Sequence, residues 1–461
     1  MDNLPATLVF QILSRLDDSA DVARCRAAWK TFDTVAPDLP WINLQYPLKR
    51  YIELRSRGSD SSSSSSLPSP LKTIILHLIS NSRSLESVHI GAENLPLDVS
   101  HADVEDYGDD MYLTDGAFVK EWLPRVSGTL KSLSISDFWV HSGWRRSEVL
   151  PLVSACCHNL LELELKHAWL SVKNMNPMPM LTSLTLEFIR LEDKNLTELN
   201  KSFPNLQVLN LIDVRGLKLP TIHLLHLKTF QWTITDAQSC LILITPNLTT
   251  LSLECRKVVA LYIEAPLLSD LHLAIDHLGA VSVKTFENLK SLSLKSSYIC
   301  SLIQKFPHLK TIENLTLNSG DLAVGAVDDS KFTLKKMLTY FPTVTSVCFK
   351  TSAWLSFEVL YESFDRVCLD GRLGLTTFRG YLLRVDPALT FSLVACVLDQ
   401  CKNLVDVSFL IHRDHAAAHI SRHFMDWCVA RWPRLKWRWG TWEEGTEDTW
   451  ITNGIPVAQI N

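Results

Sequence analysis

Glycine is scarce in this chain, 16 residues in 461. No phosphate-cradling glycine loop, dinucleotide fingerprint or Gly-x-Ser-x-Gly elbow occurs, so catalysis is not expected and no catalytic residue is assigned. The eleven cysteines are odd in number and lack paired spacing, which excludes a disulfide framework and a zinc framework. Cys255 and Cys348 fall in strand patterns, Cys156-Cys157 and Cys396 in helical ones, and buried free thiols are expected. An excess of basic charge is also missing: the formal charge is −5 and the pI about 6.3. No field is present to hold phosphates, so neither nucleic acid nor an anionic membrane is an expected partner. No apolar run reaches membrane-spanning length, and Met1-Asp2-Asn3 opens neither a basic nor an apolar targeting segment. A soluble, intracellular protein of cytoplasm or nucleus is the expectation.

What the chain has instead is repetition. Leu160-x-x-Leu163-x-Leu165 returns as Leu181/Leu184/Leu186, Leu206/Leu209/Leu211, Leu227/Phe230/Trp232, Leu248/Leu251/Leu253, Leu268/Leu271/Leu273 and Leu289/Leu292/Leu294. First leucines are 21 (160 to 181), 25, 21, 21, 20 and 21 residues apart, the period of leucine-rich repeats. Alternate strand residues share a face, so the second and third leucines of each unit point into one interior. One such strand cannot bury that face alone, and successive units must stack. The fold class expected is an α/β solenoid, a leucine-rich-repeat horseshoe preceded by a small all-α N-terminal module. About 20 residues hold a strand and two turns but little room for a full helix, so the middle units should close with extended or 3₁₀ segments, and the longer units at the ends can afford helices.

Taken in order, Leu4-Pro5 leads into Leu8, Ile12, Leu13 and Leu16 at helical spacing, and Asp17-Asp18-Ser19 breaks the helix and offers caps for the next. A second amphipathic stretch, Asp21 to Phe32, carries Val22, Cys25, Trp29 and Phe32. So few residues with so much apolar surface need a partner or the solenoid to cover them. Ser56 to Pro70, with Ser61 to Ser66 unbroken, cannot form a core and reads as a linker or surface loop. The repeats are placed from Leu85-x-x-Val88-x-Ile90 and Leu130/Leu133/Ile135. Between these lies an acidic insertion with Asp98, Asp103, Glu105, Asp106, Asp109 and Asp110. Ser147 can cap a helix carrying Val149, Leu152, Val153 and Cys156. Later units carry a helical pattern over Lys331 to Phe341 before Val344-x-x-Val347-x-Phe349, and another begun by Asp386-Pro387 before Leu404-x-x-Val407-x-Phe409. The units near Leu309 and Leu375/Phe378 are irregular. Six of the fourteen tryptophans fall from Trp427 onward, and the helix of Ile420, Phe424, Trp427 and Cys428 with the strand Leu435 to Trp439 reads as a C-terminal cap. The segments are therefore 1–45 for the N-terminal module, 46–72 for the linker, 73–440 for the repeats with the insertion at 96–115 and the cap, and 441–461 for a tail.

His415, His419 and His423 lie at i, i+4, i+8, yet no His-Glu-x-x-His occurs, and a solvated histidine face is expected, with no metal or cofactor.

The N-terminal residues resemble an F-box: Leu4-Pro5-x-x-Leu8-x-x-x-Ile12-Leu13-Ser14-Arg15-Leu16, then Asp21-Val22-Ala23-Arg24-Cys25-Arg26 and Lys30-Thr31-Phe32. The later part departs, reading Ala28-Trp29-Lys30-Thr31-Phe32 where the family carries Val-Ser/Cys-Lys-x-Trp. With the repeats behind it, the chain resembles plant-type F-box/LRR-repeat proteins. That resemblance implies docking on a Skp1-type adaptor, and through it on cullin and RING subunits of an SCF ubiquitin ligase, while the repeats choose a protein substrate. It places Leu4, Pro5, Leu8, Ile12, Leu13, Leu16, Lys30 and Phe32 at the adaptor. Target contacts are expected on the concave face, at the outward residues Glu164, Thr185, Asn210, Gln231, Ser252, His272 and Ser293. The alternative is an intracellular repeat scaffold whose N-terminus is only a cap.

Overall fold

The computed structural model describes residues 4–47, 71–92, 110–137, 145–284, 286–306, 309–319, 340–355, 374–416, 419–452 and 455–456. The poly-serine run, the carboxylates Asp98 to Asp109 and most of the helix expected over Lys331 to Phe341 lie outside them. Two compact units result, Met1–Ile234 with Ile242–Pro246, and Thr235–Leu241 with Asn247–Asn461.

The first unit begins with α1 (Ala6–Leu13), α2 (Ser19–Ala28) and α3 (Lys30–Val35). Pro5 sits just before α1 with φ −57°, suited to a helix start. Asp18 caps α2 by accepting from the Ala20 N–H at 2.8 Å. Trp29, in extended backbone, separates α2 from α3, so the stretch Asp21 to Phe32 is two helices. The chain continues as β1 (Trp41–Tyr46), α4 (Leu71–Asn81), β2 (Ser87–Ala92), α5 (Gly116–Val126), β3 (Ser132–Ser136), β4 (Arg146–Ser147), α6 (Val149–Cys156), β5 (Glu162–Lys166), β6 (Trp169–Leu170), β7 (Ser183–Glu187), β8 (Arg190–Leu191), α7 (Thr197–Ser202), β9 (Val208–Ile212), β10 (Thr221–His223), β11 (Thr229–Ile234) and β12 (Gln238–Ile244).

The strands β1, β2, β3, β5, β7, β9 and β11 pair in parallel, each with the next. Leu163, Leu184, Leu209 and Phe230 fall in one register row and are at most 2% exposed. Burying a leucine contributes about 1.5–3 kcal/mol. The row begins earlier than Leu85, because β1 carries Leu39-x-x-Ile42-x-Leu44 and pairs Ile42 with Val88 and Leu44 with Ile90.

Past each inner strand the chain turns sharply. His167, Phe188 and Asp213 follow β5, β7 and β9 with φ of 53°, 51° and 47°, a left-handed conformation that costs a non-glycine residue roughly 1–2 kcal/mol. Each donates its N–H to the last carbonyls of the neighbouring strand, His167 to Glu187, Phe188 to Ile212 and Asp213 to Thr233, and the imidazole of His167 stacks on Phe188 at 4.9 Å. The turns after β5 and β7 lead into β6 and β8, which with β4 form a second parallel ladder. Asparagines ahead of the first leucine stitch the other bend: Asn159 and Asn205 donate to the carbonyls of Gly128 and Pro179.

The acidic insertion ends in ordered carboxylates. Asp110 accepts from the N–H groups of Leu71 and Lys72 at the start of α4, and Asp115 caps α5. Asp137, 1% exposed, accepts from the Leu113 and Thr114 N–H groups at 2.5 and 3.1 Å and bonds to the Thr114 hydroxyl. Burial outweighs these bonds and raises its pKa to about 7.

In the second unit, β13 (Thr250–Glu264), β14 (Asp270–Val283), β15 (Ser291–Ser296), β16 (Asn314–Ser319), β17 (Ser346–Phe349), β18 (Thr377–Leu382), β19 (Asp406–His412) and β20 (Lys436–Trp442) again pair in parallel in order, and β21 (Thr449–Thr452) joins β20 antiparallel. Unit length sets the return path. Between Leu248 and Leu289 it is extended, with β13 and β14 running 15 and 14 residues. The longer units return as α8 (Ile299–Gln304), α9 (Leu389–Gln400), α10 (Arg413–Ala416) and α11 (His419–Arg431). Asp386 accepts from the Ala388 and Leu389 N–H groups ahead of α9. Each unit is thus an α/β arrangement around a mostly parallel sheet, compatible with a repeat solenoid.

The irregular units are formed. Ile312-x-x-Leu315-x-Leu317 supplies β16, with all three side chains at most 1% exposed. In β18 the third apolar position is Gly380, and a Cβ there would lie 2.8 Å from the Phe409 ring and 3.4 Å from Trp354. The missing side chain makes room for an aromatic cluster: Phe409 meets Trp354, Phe378 and Phe424 at 5.6–6.0 Å, geometry that adds to simple burial. Beyond it Trp437 and Trp439 stack at 5.4 Å on β20, and Trp432 donates to Asp399 at 2.8 Å. Residues 441–452 are tied in, because Trp442 donates to the Leu382 carbonyl and Tyr381 to Asp448.

Two outcomes follow from this packing. Gly380→Ala should destabilise the second unit by about 1–3 kcal/mol in denaturant unfolding, because a buried ring must move. Asp137 has a folded pKa above its unfolded value of about 4, so its relative stabilisation is complete below that value and lost as pH rises through about 7. The stability advantage of wild type over Asp137→Asn should therefore shrink between pH 5 and pH 8 when unfolding is followed at both.

Candidate partner-binding surfaces

Helix α1 is apolar on two stripes. Val9 and Leu13, four residues apart, are 1% and 0% exposed and form a core with Val22, Phe32, Val35, Ala36 and Leu39. Leu8 and Ile12, also four apart and one position behind, are 45% and 44% exposed. Trp29, at the break between α2 and α3, is 41% exposed and lies 5.6 Å from the Phe32 ring. A helix whose second apolar stripe faces water marks a contact surface. The expected adaptor residues therefore divide. Pro5, Leu8, Ile12 and Lys30 are exposed, and Leu4 and Leu16 half-buried. Leu13 and Phe32, at 0% and 5% exposure, lie in the core that holds the three helices together. Trp29 joins the exposed set. The departure Ala28-Trp29 was the signal for it, a large ring where the helix breaks.

These helices are anchored to the first strand. Ser19 Oγ accepts from the Asn43 N–H at 2.9 Å, and Asn43 donates to the Asp17 carbonyl at 2.6 Å.

The second surface is the outward side of the strands. In the first unit Glu164, Thr185, Asn210 and Gln231 stand in one register row, half-buried between the buried leucines. In the second unit Ser252, His272 and Ser293 do the same. Neighbours in each row are joined: Ser134 Oγ donates to Glu164 at 2.6 Å, Asn210 to Thr185 Oγ1 at 3.1 Å, and His272 Nδ1 lies 2.9 Å from Ser293 Oγ. Lys166 bridges Glu164 and Glu187 at 3.1 and 3.0 Å. Burial opposes the charge of Glu164, but Ser134 and Lys166 outweigh it and lower its pKa. Burial lowers the pKa of His272, which favours its neutral form. The rows therefore present neutral polar groups and already-paired carboxylates.

His415, His419 and His423 are exposed, and no metal-holding cluster occurs among the described residues. Buried thiols such as Cys255 and Cys157, pushed up to about 12, stay protonated. Among the described residues no helix is long and apolar enough to cross a membrane.

No protein-family model matches the chain. Comparison with curated proteins finds 38% identity to F-box/LRR-repeat protein At4g29420 of Arabidopsis thaliana, across 98% of this chain and 100% of that protein. The chain belongs to the F-box/LRR-repeat protein family.

Sequence reasoning on this F-box/LRR-repeat chain missed two features. The first repeat strand, Leu39-x-x-Ile42-x-Leu44, was legible in its own spacing but stands 46 residues ahead of Leu85. The second is the outward face of β17 and β18, with Lys350, Arg379 and Tyr381, hidden because Gly380 breaks the pattern that would have placed them. If the rows form a recognition surface through their outward atoms alone, Asn210→Ala should leave the thermal midpoint within about 2 °C of wild type, as surface substitutions do.

Proposed function

We propose that this protein is a non-catalytic substrate receptor of an SCF-type ubiquitin ligase. Leu8 and Ile12, with Pro5, Trp29 and Lys30 around them, dock on a Skp1-type adaptor, and through it the chain joins cullin and RING subunits. The exposed stripe on α1 carries this reading, because two large aliphatic side chains half in water gain about 1 kcal/mol each when covered. The repeats hold a protein target at the outward rows of Glu164, Thr185, Asn210, Gln231, Ser252, His272 and Ser293. The mechanism is proximity: a captured target presents its lysines at high effective concentration to a ubiquitin-charged enzyme elsewhere in the assembly.

The hydrogen bonds from Asn43 to Ser19 and Asp17 favour the second reading, in which the helices cap a scaffold. Co-purification with a Skp1-type adaptor separates the two. Wild type should bind stoichiometrically, Leu8→Asp/Ile12→Asp should lose binding by more than about 100-fold while its melting temperature holds, and Leu13→Asp should unfold the helices. A folded wild type that fails to bind leaves the scaffold. Target capture that survives triple substitution of Asn210, Gln231 and Ser252 would move the target away from the rows.

A further inference from the structure

Among the described residues, the outward face of β17 and β18 carries two cations that no ion pair neutralises. Val347, Phe349, Phe378 and Gly380 point into the core, which leaves Cys348, Lys350, Arg379 and Tyr381 on the open side, with Cys348 opposite Arg379 in register. Lys350 Nζ sits 3.6 Å from the centroid of the Tyr381 ring. The Arg379 guanidinium lies 5.4 Å from the centroid of Trp450 on β21. Both cations act on the Cys348 thiol, and so does the Asp448 carboxylate, which places all three around one spot. Each is half-buried, and among the described residues neither is within ion-pairing distance of a carboxylate. Partly desolvated cations held on aromatic faces retain most of their attraction for an incoming anion.

The chain shows which anion suits this neighbourhood. Glu443-Glu444-Gly445-Thr446-Glu447-Asp448 turns back beside it, with Asp448 accepting from the Tyr381 hydroxyl at 2.5 Å and Glu443 pairing with Arg413 at 2.5 Å. An acidic peptide thus already lies along this edge of the unit, yet its carboxylates take the tyrosine and Arg413 and form no ion pair with Lys350 or Arg379. We propose that Lys350 and Arg379, flanked by Tyr381 and Trp450, bind an acidic segment of the target protein. This rests on the receptor reading and gives it a target chemistry. A carboxylate of the segment accepts charge-assisted hydrogen bonds from Arg379, a second meets Lys350, and the two rings exclude water from one side.

The test uses the full chain purified with its Skp1-type adaptor and a fluorescein-labelled deca-glutamate peptide, read by anisotropy at low salt. Wild type should bind saturably and weaken as salt rises. Lys350→Gln/Arg379→Gln should lose at least about tenfold in affinity, and the charge-keeping Lys350→Arg/Arg379→Lys should stay within about threefold. Equal binding by wild type and the glutamine pair overturns the proposal. So does a single-stranded oligothymidine of equal charge that binds more tightly than the peptide, which would make the site one for phosphates. Adaptor co-purification is read on the same samples: if it persists while peptide binding is absent, this inference alone fails, whereas its absence from wild type removes the receptor reading itself.

Discussion

The parallel backbone ladder is the constraint on which everything else depends. A strand of five or six residues in this protein cannot satisfy its N–H and C=O groups or cover its leucines alone, so each repeat is stable only against its neighbours. That requirement fixes the register: Leu163 must face Leu184 and Leu184 must face Leu209. Once the inward row is fixed, strand alternation fixes the outward one, and Glu164, Thr185 and Asn210 fall into line without any interaction that selects them. The same ladder explains the strain at His167, Phe188 and Asp213. Three non-glycine residues hold a left-handed conformation because each turn places an N–H on the carbonyl of the adjacent strand, and a buried unpaired group there would cost about as much as the strain saves.

Periodicity made the middle of the chain legible. Leucines at two fixed offsets and a period near 21 carry enough information to place strand, core row and outward row together. The return paths were legible in part from length: 20–21 residues left no room for a helix, but the short helix α7 in the 25-residue middle unit beginning at Leu181 was not expected. What escaped was whatever interrupts the pattern. Leu39-x-x-Ile42-x-Leu44 has the right spacing but the wrong distance to the next unit. Gly380 looks like a defect in a leucine pattern because sequence cannot show that Phe409, 29 positions later in the next strand, fills the space a leucine would take. An aromatic on one strand and a glycine on its neighbour are a single packing decision written at two places.

The N-terminal surface was legible in its residue types and not in its partition. Helical spacing marked Leu8, Ile12, Leu13 and Leu16 as apolar, but it could not say which of two adjacent stripes faces inward. The three-helix packing decides that. Val9 and Leu13 meet Phe32 and Val35, and the stripe rotated by one residue is left to water. A module this small buries one stripe to fold and needs the other for something else, since an exposed Leu/Ile pair next to an exposed tryptophan favours association.

The outward faces of the two units differ in how completely their charges are answered. In the first, Glu164, Lys166 and Glu187 form a closed set, with Ser134 taking a remaining lone pair of Glu164; such a set offers an incoming chain hydrogen-bond complementarity and little net attraction. At β17 and β18 in the second, the cations rest on rings and lack counter-ions among the described residues. A ring face stabilises a cation by less than a carboxylate does at the same depth, so the difference is available to a ligand that brings the carboxylate. A register-fixed polar row selects by shape and hydrogen bonding, whereas a charged face accelerates encounter with an acidic segment.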